Sequence, residues 1–179
     1  ALDREAAATH DIVVRATSTD GTFSARIFTI AVTDIDEFDV GPVSDVNSAP
    51  NVVAENASTG TVVGLTASAT DPDATTNGIT WSLDNDAGGR FTIDAGGIVR
   101  VGNGLDYESA TSHGIVVRAT SADGSTSTQS FTIQITDSNE SGVGGISDVN
   151  GAANRVTENS PTGTIVGITA SARDPDKSD

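Results

Sequence analysis

Apolar and polar residues alternate along most of this chain. Val63, Leu65, Ala67 and Ala69 interleave with Gly64, Thr66 and Ser68, and Phe131, Ile133 and Ile135 interleave with Thr132, Gln134 and Thr136. A period of two places one face of an extended strand in a core and the other in water. Turn residues punctuate the runs. Ala122-Asp123-Gly124 divides the run that starts at Ile115 from the run that ends at Thr136, and Asp20-Gly21 does the same earlier. Asp-Gly between two alternating runs is a strong hairpin signal. Further turns fall at Asn77-Gly78, Gly88-Gly89, Gly96-Gly97 and Asn103-Gly104. The spacing predicts a split first strand over 41–46 and 52–55, then strands over 61–70, 78–83, 90–94, 97–102, 113–121 and 128–136. About seven short strands with regular turns predict an all-β, Ig-like fold of Greek-key antiparallel sandwiches.

The chain also repeats itself. Residues 1–76 lie on residues 104–179 without a gap, and well over half of the aligned pairs are identical. Ile-Val-Val-Arg-Ala-Thr-Ser occurs at 12–18 and again at 115–121. The period is that of a small domain rather than a solenoid unit. The division this implies is a C-terminal part of one repeat (1–37), a complete repeat (38–140) and an N-terminal part of a third (141–179). The chain opens in mid-motif, with no initiator Met, and reads as a window on a tandem array. Val, Ile, Leu and Ala dominate the expected core, with Trp81 and Phe91 as its large members.

Net charge is -16 at neutral pH, which excludes nucleic acid as a partner because phosphate binding needs a basic face. Cysteine is absent, so disulfides and thiolate metal sites are excluded. No apolar run approaches the roughly 20 residues needed for membrane insertion. The Thr, Ser, Gly, Val and Asp bias with few Lys reads as extracellular and bacterial.

The acids have fixed places. Asp106 and Glu108 recur as Asp3 and Glu5, Asp71 and Asp73 as Asp174 and Asp176, and Glu55-Asn56 as Glu158-Asn159. An acidic string, Asp34-Ile35-Asp36-Glu37, returns as Asp137-Ser138-Asn139-Glu140. All lie at predicted strand ends, which gather at the poles of a sandwich, and the string falls between one repeat and the next. Carboxylates at i and i+2 share one side of an extended backbone, an arrangement suited to calcium with its 6–8 oxygen ligands. Without a cation the arrangement is costly, since two carboxylates at ~4 Å repel by about 4 kcal/mol at an effective dielectric of 20. The plainer reading of such acids is a solvated surface that aids solubility.

Taken together, Ala54-Glu55-Asn56, Ala69-Thr70-Asp71-Pro72-Asp73 followed by Asn77-Gly78-Ile79-Thr80-Trp81, Leu105-Asp106-Tyr107-Glu108, Ala122-Asp123-Gly124 and Thr136-Asp137-Ser138-Asn139-Glu140 resemble the cadherin repeat, in the form found in large bacterial surface adhesins. The motifs come in the family's order, and the resemblance spans the chain. It implies calcium bound at junctions between successive domains. The first junction would use Asp3, Glu5, the carbonyl of Ile35, Asp36, Glu37, Asp71, Asp73, a carbonyl near Asn77, and Asp123. The second would use Glu55, Asp106, Glu108, the carbonyl of Ser138, Asn139, Glu140, Asp174 and Asp176. The sequence departs from the family linker in two ways. Glu37 and Glu140 stand where its second Asp would be, and Phe38 and Ser141 replace its last Asn. Ser44-Asp45-Val46-Asn47-Ser48-Ala49-Pro50 is a rival linker, but too few positions separate it from Glu55 to hold a strand. Asp45 and Asn47 are instead expected to form turns in a bulge of the first strand.

Other classes carry less weight. Paired carboxylates can hydrolyse glycosides, yet nothing here resembles a nucleophile with its base, so an enzyme is not expected. A carbohydrate-binding, lectin-like module of a biofilm matrix would need an exposed aromatic platform, and Tyr107 is the one candidate. His10 and His113 enter strands at matching positions and are expected to pack or lie at the surface. Arg15 and Arg118 are expected to point outward and pair with acids. The sequence thus predicts an extracellular, cell-surface array stiffened by Ca2+, serving as the stalk or adhesion segment of an adhesin or fibre. Its expected partners are its own neighbouring repeats, with other copies of itself or polysaccharide as further candidates.

Overall fold

A computed structural model describes residues 1–176; residues 177–179, at the end of the third repeat as read from sequence, lie outside the described residues. The strands are β1 (Thr9–Thr17), β2 (Phe23–Ala31), β3 (Ser44–Asp45), β4 (Val52–Ala54), β5 (Val62–Ser68), β6 (Thr80–Asn85), β7 (Phe91–Ile93), β8 (Ile98–Val101), β9 (Ser112–Thr120), β10 (Thr126–Thr136), β11 (Ser147–Asp148) and β12 (Ala170–Ser171). Each predicted strand of the central repeat is present, with its ends shifted by a few residues. The Asp123-Gly124 hairpin joins β9 and β10, and Asp20-Gly21 joins β1 and β2.

Two four-stranded sheets face each other in the central repeat, ordered β4-β10-β9-β6 and β3-β5-β8-β7. The alternating residues meet between them. Val63, Leu65 and Ala67 of β5 and Val99 and Val101 of β8 pack against Ile115, Val117 and Ala119 of β9 and Ile133 and Ile135 of β10. Phe91 is almost fully enclosed, and Trp81 is half-buried against this core. His113 packs edge-on to Phe91, with ring centroids 6.1 Å apart. On the outer face, Arg118 forms a two-pronged ion pair with Asp84 at 2.7 and 2.5 Å. Arg15, at the matching position, lies over the Phe23 ring instead, 3.8 Å from its centroid.

One pairing departs from the antiparallel expectation: β4 runs parallel to β10. The split first strand is the cause. Its first half, β3, pairs with β5; the chain then crosses to the other sheet, and β4 travels beside β10 in the same direction. Asp45 and Asn47 make the crossing. The Asp45 carboxylate accepts the N–H of Asn47 at 2.9 Å and of Thr66 at 3.2 Å, and Asn47 Oδ1 accepts the N–H of Ala49 at 2.9 Å. Asp148 and Asn150 repeat the device on Thr169 and Ala152. The segment 44–50 is therefore the short strand β3 and the turn that leads out of it. Outside the central repeat, β1 and β2 form a hairpin with every residue exposed, and β11 pairs with β12.

Gly64 sits where β5 passes the crossing. Its φ is +88°, and a Cβ there would lie 2.1 Å from the Pro50 carbonyl oxygen. Gly124, at φ +100°, would meet nothing within 4 Å. Gly64→Ala is therefore expected to lower unfolding stability by about 2 kcal/mol or more, and Gly124→Ala by about 1 kcal/mol through backbone strain alone. Urea unfolding of the two variants checks the order, and equal losses would contradict it.

Candidate metal centre

The outward ends of the strands carry the acids. In β10 the inward-facing residues are Ile133 and Ile135, and Asp137 continues that parity beyond the strand end. Val53 and Glu55 stand in the same relation past β4, and Glu55 is 5% exposed. A carboxylate two residues beyond a core residue is thus aimed toward the sandwich pole rather than into solvent. Asp71 and Asp73 follow β5 and turn inward through local hydrogen bonds. Asp71 accepts the N–H of Asp73 at 3.1 Å and the Ser121 hydroxyl at 2.5 Å. Asp73 is 1% exposed.

Among the described residues, three groups hold carboxylate oxygens within 4.8 Å of one another. Glu5, Asp34 and Glu37 form the first, and Asp36, Asp73 and Asp123 the second. The first lies wholly within residues 1–37, and the second joins Asp36 to two acids further along the chain. Glu55, Glu108, Asp137 and Glu140, all within residues 38–140, form the third. Backbone donors tie the linkers to these acids. Glu37 and Phe38 offer their N–H groups to Asp73 at 3.4 and 3.3 Å, and Ser141 offers its own to Asp176 at 3.0 Å. Glu55 accepts from Tyr107 at 2.5 Å and from Ser138 at 2.8 Å. Across the first junction, Ala74 donates to Glu5 at 3.0 Å and Thr75 to Asp34 at 3.0 Å.

The electrostatics follow from this crowding. Loss of hydration raises the pKa of Glu37, and the charges of Glu5, Asp73, Asp34 and Asp3 add to it. Glu140 is raised in the same way, by loss of hydration and then by Glu55, Asp176, Glu108 and Asp137. Loss of hydration also raises Asp36, with further contributions from Asp73, Asp123 and Asp71. Asp34 moves down, held there by the Thr75 hydroxyl.

Of the residues expected from sequence, Glu5, Asp36, Glu37, Asp73, Asp123, Glu55, Glu108 and Glu140 enter the groups. The others lie alongside. Asp3 accepts the N–H of Ala6 at 3.0 Å, and Asp106 accepts the N–H and hydroxyl of Ser109 at 2.9 and 2.7 Å, so both cap their own turns. Asp174 accepts the N–H of Asp176 at 3.2 Å. Asn77 donates its amide to the Asp73 carbonyl at 2.6 Å, and the Ser138 hydroxyl accepts from Asn56 at 2.7 Å. Asp71 and Asp176 border the groups through their charges. Ile35 and Asn139 belong to the linker strings, and Ile35 is exposed. Asp34 and Asp137 also enter the groups, although the resemblance does not imply them as ligands. Asp34 Oδ1 and both oxygens of Asp137 are shielded from water and accept no hydrogen bond. Buried carboxylate oxygens need a donor or a cation, and an all-oxygen set of this kind suits a hard divalent ion. Tyr107 is half-buried against the core rather than presented as a platform.

Residues 50–136 match the family model of the cadherin domain. Cadherin-22 of Rattus norvegicus is 35% identical over 153 residues, covering 78% of this chain and 18% of that protein. Human protocadherin Fat 4 is 30% identical over 182 residues, covering 98% of this chain and 4% of that protein. The chain therefore spans less than a fifth of the length of these relatives. Among solved structures, mouse cadherin-23 EC22-24 superposes with a TM-score of 0.66 at 26% identity, covering 98% of this chain and 56% of that one. Chicken VE-cadherin EC1-2 superposes with a TM-score of 0.61 at 26% identity, covering 76% and 70%. Residues 50–136 thus match the cadherin domain in sequence, and the chain is similar to cadherins in fold.

Proposed function

We propose that this chain is a segment of an extracellular adhesion array whose inter-repeat joints are stiffened by calcium. The observation that carries the reading is the set of buried, unpartnered carboxylate oxygens on Asp34 and Asp137, each within a cluster of acids where one repeat meets the next. Calcium would supply the positive charge and the coordination these oxygens lack. The first junction would hold it with Glu5, Asp34, Asp36, Glu37, Asp73 and Asp123, supported by Asp3, Asp71 and the carbonyls of Ile35 and Asn77. The second would use Glu55, Glu108, Asp137 and Glu140, supported by Asp106, Ser138, Asn139, Asp174 and Asp176. Repeat boundaries near residues 37 and 140 place each linker string between domains. Ligands then come from both sides of a hinge, so that binding the ion resists bending.

The bacterial adhesin or fibre setting rests on composition: no cysteine, few lysines and abundant Thr, Ser, Gly and Asp. The relatives named above come from animals. An array of this kind would act as a spacer or adhesive stalk, with its neighbouring repeats as first partners. Extracellular calcium modules work at ~10⁻⁴–10⁻³ M, so the joint would respond to ambient calcium.

Thermal unfolding with calcium and with chelator tests this reading. Calcium is expected to raise the midpoint by several degrees, corresponding to about 1–3 kcal/mol of linkage. Asp137→Asn is expected to weaken calcium binding about tenfold or more while leaving the melt in chelator unchanged or slightly higher, because it removes an unpaired charge. A midpoint indifferent to calcium would remove the proposal.

Acid should weaken the joint's calcium binding. Glu37, Asp36 and Glu140 carry raised pKa values in the folded junction, so each takes up a proton at higher pH than the same acid in the unfolded chain. The repulsion among them is full above the folded pKa and fades as pH falls through it. Calcium needs the deprotonated acids. Titrations at about pH 7 and about pH 5 should therefore show weaker binding at the lower value, with a smaller drop for Glu140→Gln. Equal affinity at both values would contradict the assignment.

A further inference from the structure

Three Asn-Gly pairs occur in the chain, at Asn77-Gly78, Asn103-Gly104 and Asn150-Gly151. In such a pair the glycine carries no side chain, so its main-chain nitrogen is open to close approach. That nitrogen can attack the carbonyl of the asparagine side chain before it. The three pairs are alike in sequence, but the fold sets them apart.

Two of them are tied away from reaction. The Asn77 side chain donates its amide to the Asp73 carbonyl at 2.6 Å, which holds the nitrogen that would have to leave. Asn150 Oδ1 accepts the N–H of Ala152 at 2.9 Å, and the Asn150 N–H donates to Asp148 at 3.0 Å. That turn aims the Asn150 carbonyl past Gly151. Asn103 is different. Its side-chain carbonyl accepts the N–H of Gly104 itself at 3.0 Å. The electrophilic carbon lies one bond from that oxygen, so electrophile and nucleophile are already drawn together. Asn103 and Gly104 are both exposed. A Cβ on Gly104 would meet nothing within 4 Å, and its φ lies outside the left-handed region. Just upstream, the N–H groups of Gly102 and Asn103 donate to the Arg90 carbonyl at 2.8 and 3.4 Å, which anchors the chain before the pair.

We propose that Asn103 is a site of spontaneous covalent modification, at which the Gly104 nitrogen closes a cyclic imide on the Asn103 side chain and water reopens it. The bond formed runs from the Gly104 nitrogen to Asn103 Cγ, and the bond broken is Cγ–Nδ2. The Gly104 N–H proton departs with the amide as ammonia. Water then adds to one of the two imide carbonyls. Opening at the side-chain carbonyl leaves an aspartate. Opening at the main-chain carbonyl leaves an isoaspartate, whose backbone is longer by a methylene. Either product adds a carboxylate to a chain of net charge -16. The isoaspartate also lengthens the chain just before Leu105-Asp106-Tyr107-Glu108. There Tyr107 donates its N–H to Glu55 at 2.5 Å, and Glu108 enters the same acidic group as Glu55. Ageing at this one bond therefore loosens the second junction. That consequence rests on the calcium reading; the conversion itself does not.

Peptide mapping by mass spectrometry, on the full chain kept warm in mildly alkaline buffer, tests the proposal. In the folded chain Asn103 should convert about tenfold or more faster than Asn77 and Asn150. In concentrated urea the side-chain contacts are lost, and the three pairs should convert at similar rates. Gly104→Ala should slow conversion at Asn103 about tenfold or more with an unchanged melt, because the added Cβ narrows the approach to the nitrogen yet touches nothing. Equal rates in the folded chain, or the same ranking in urea, would overturn the proposal, since local sequence rather than the fold would then set the rate. Calcium titration separates the consequence. Aged chain carrying isoaspartate at position 103 should bind calcium about threefold or more weaker than fresh chain, while Gly104→Ala aged alongside should keep its affinity. Unchanged affinity after conversion would overturn the loosening alone. Calcium binding absent even from fresh chain would remove that consequence together with the calcium reading, and the rate ranking at Asn103 would stand.

Discussion

The constraint on which this chain turns is that buried carboxylate oxygens must find a positive partner. The sandwich is held by an apolar core. Val, Leu, Ile and Phe side chains fill the space between its two sheets, and the chain has no cysteine to bridge them. The junctions differ. There, acids of the linker strings and of the neighbouring strand ends converge within 4.8 Å in groups of three or four, and some of their oxygens are shut away from water with no donor in reach. Folding helps to create these clusters, because Asp34, Glu55 and Asp137 continue the inward parity of the strands they follow. The same alternation that builds the core therefore loads the joints with charge.

Much of this was legible in the sequence. The alternating runs located the strands, the Asp-Gly pairs located the hairpins, and the internal repeat set the size of the unit. Asp45 and Asn47 were readable as turn formers because spacing left no room for a strand between them and Glu55. Two features were harder. The parallel pairing of β4 with β10 joins residues far apart in the chain, and local pattern carries no information about which sheet a short strand enters after a crossing. Asp34 and Asp137 open the acidic strings but are not among the ligands that the resemblance implies. The signal was present in the parity: Ile133, Ile135 and Asp137 point the same way, as do Ile30, Val32 and Asp34. Asp3 and Asp106 also accept N–H groups of their own turns, as short acidic side chains commonly do.

The near-identity of the repeats makes their differences informative. The inward positions Ile12, Val14, Phe28 and Ile30 match Ile115, Val117, Phe131 and Ile133 of the other hairpin, as a shared core demands. Outward positions are free of that demand, and there the hairpins diverge from Thr and Ser to Phe, Ala and Ile. A tandem array can thus vary the surface of single repeats while its joints and cores stay constant. Stiffness and recognition would then reside in separate parts of the same domain.

The most direct measurement of the central claim is anomalous scattering from crystals of the chain grown with calcium. The account predicts peaks at both junctions, each about 2.3–2.6 Å from carboxylate oxygens contributed by two repeats, with Asp34 and Asp137 among the ligands. Junctions without a peak, and with those two carboxylates turned out to hydrogen-bond water, would contradict it.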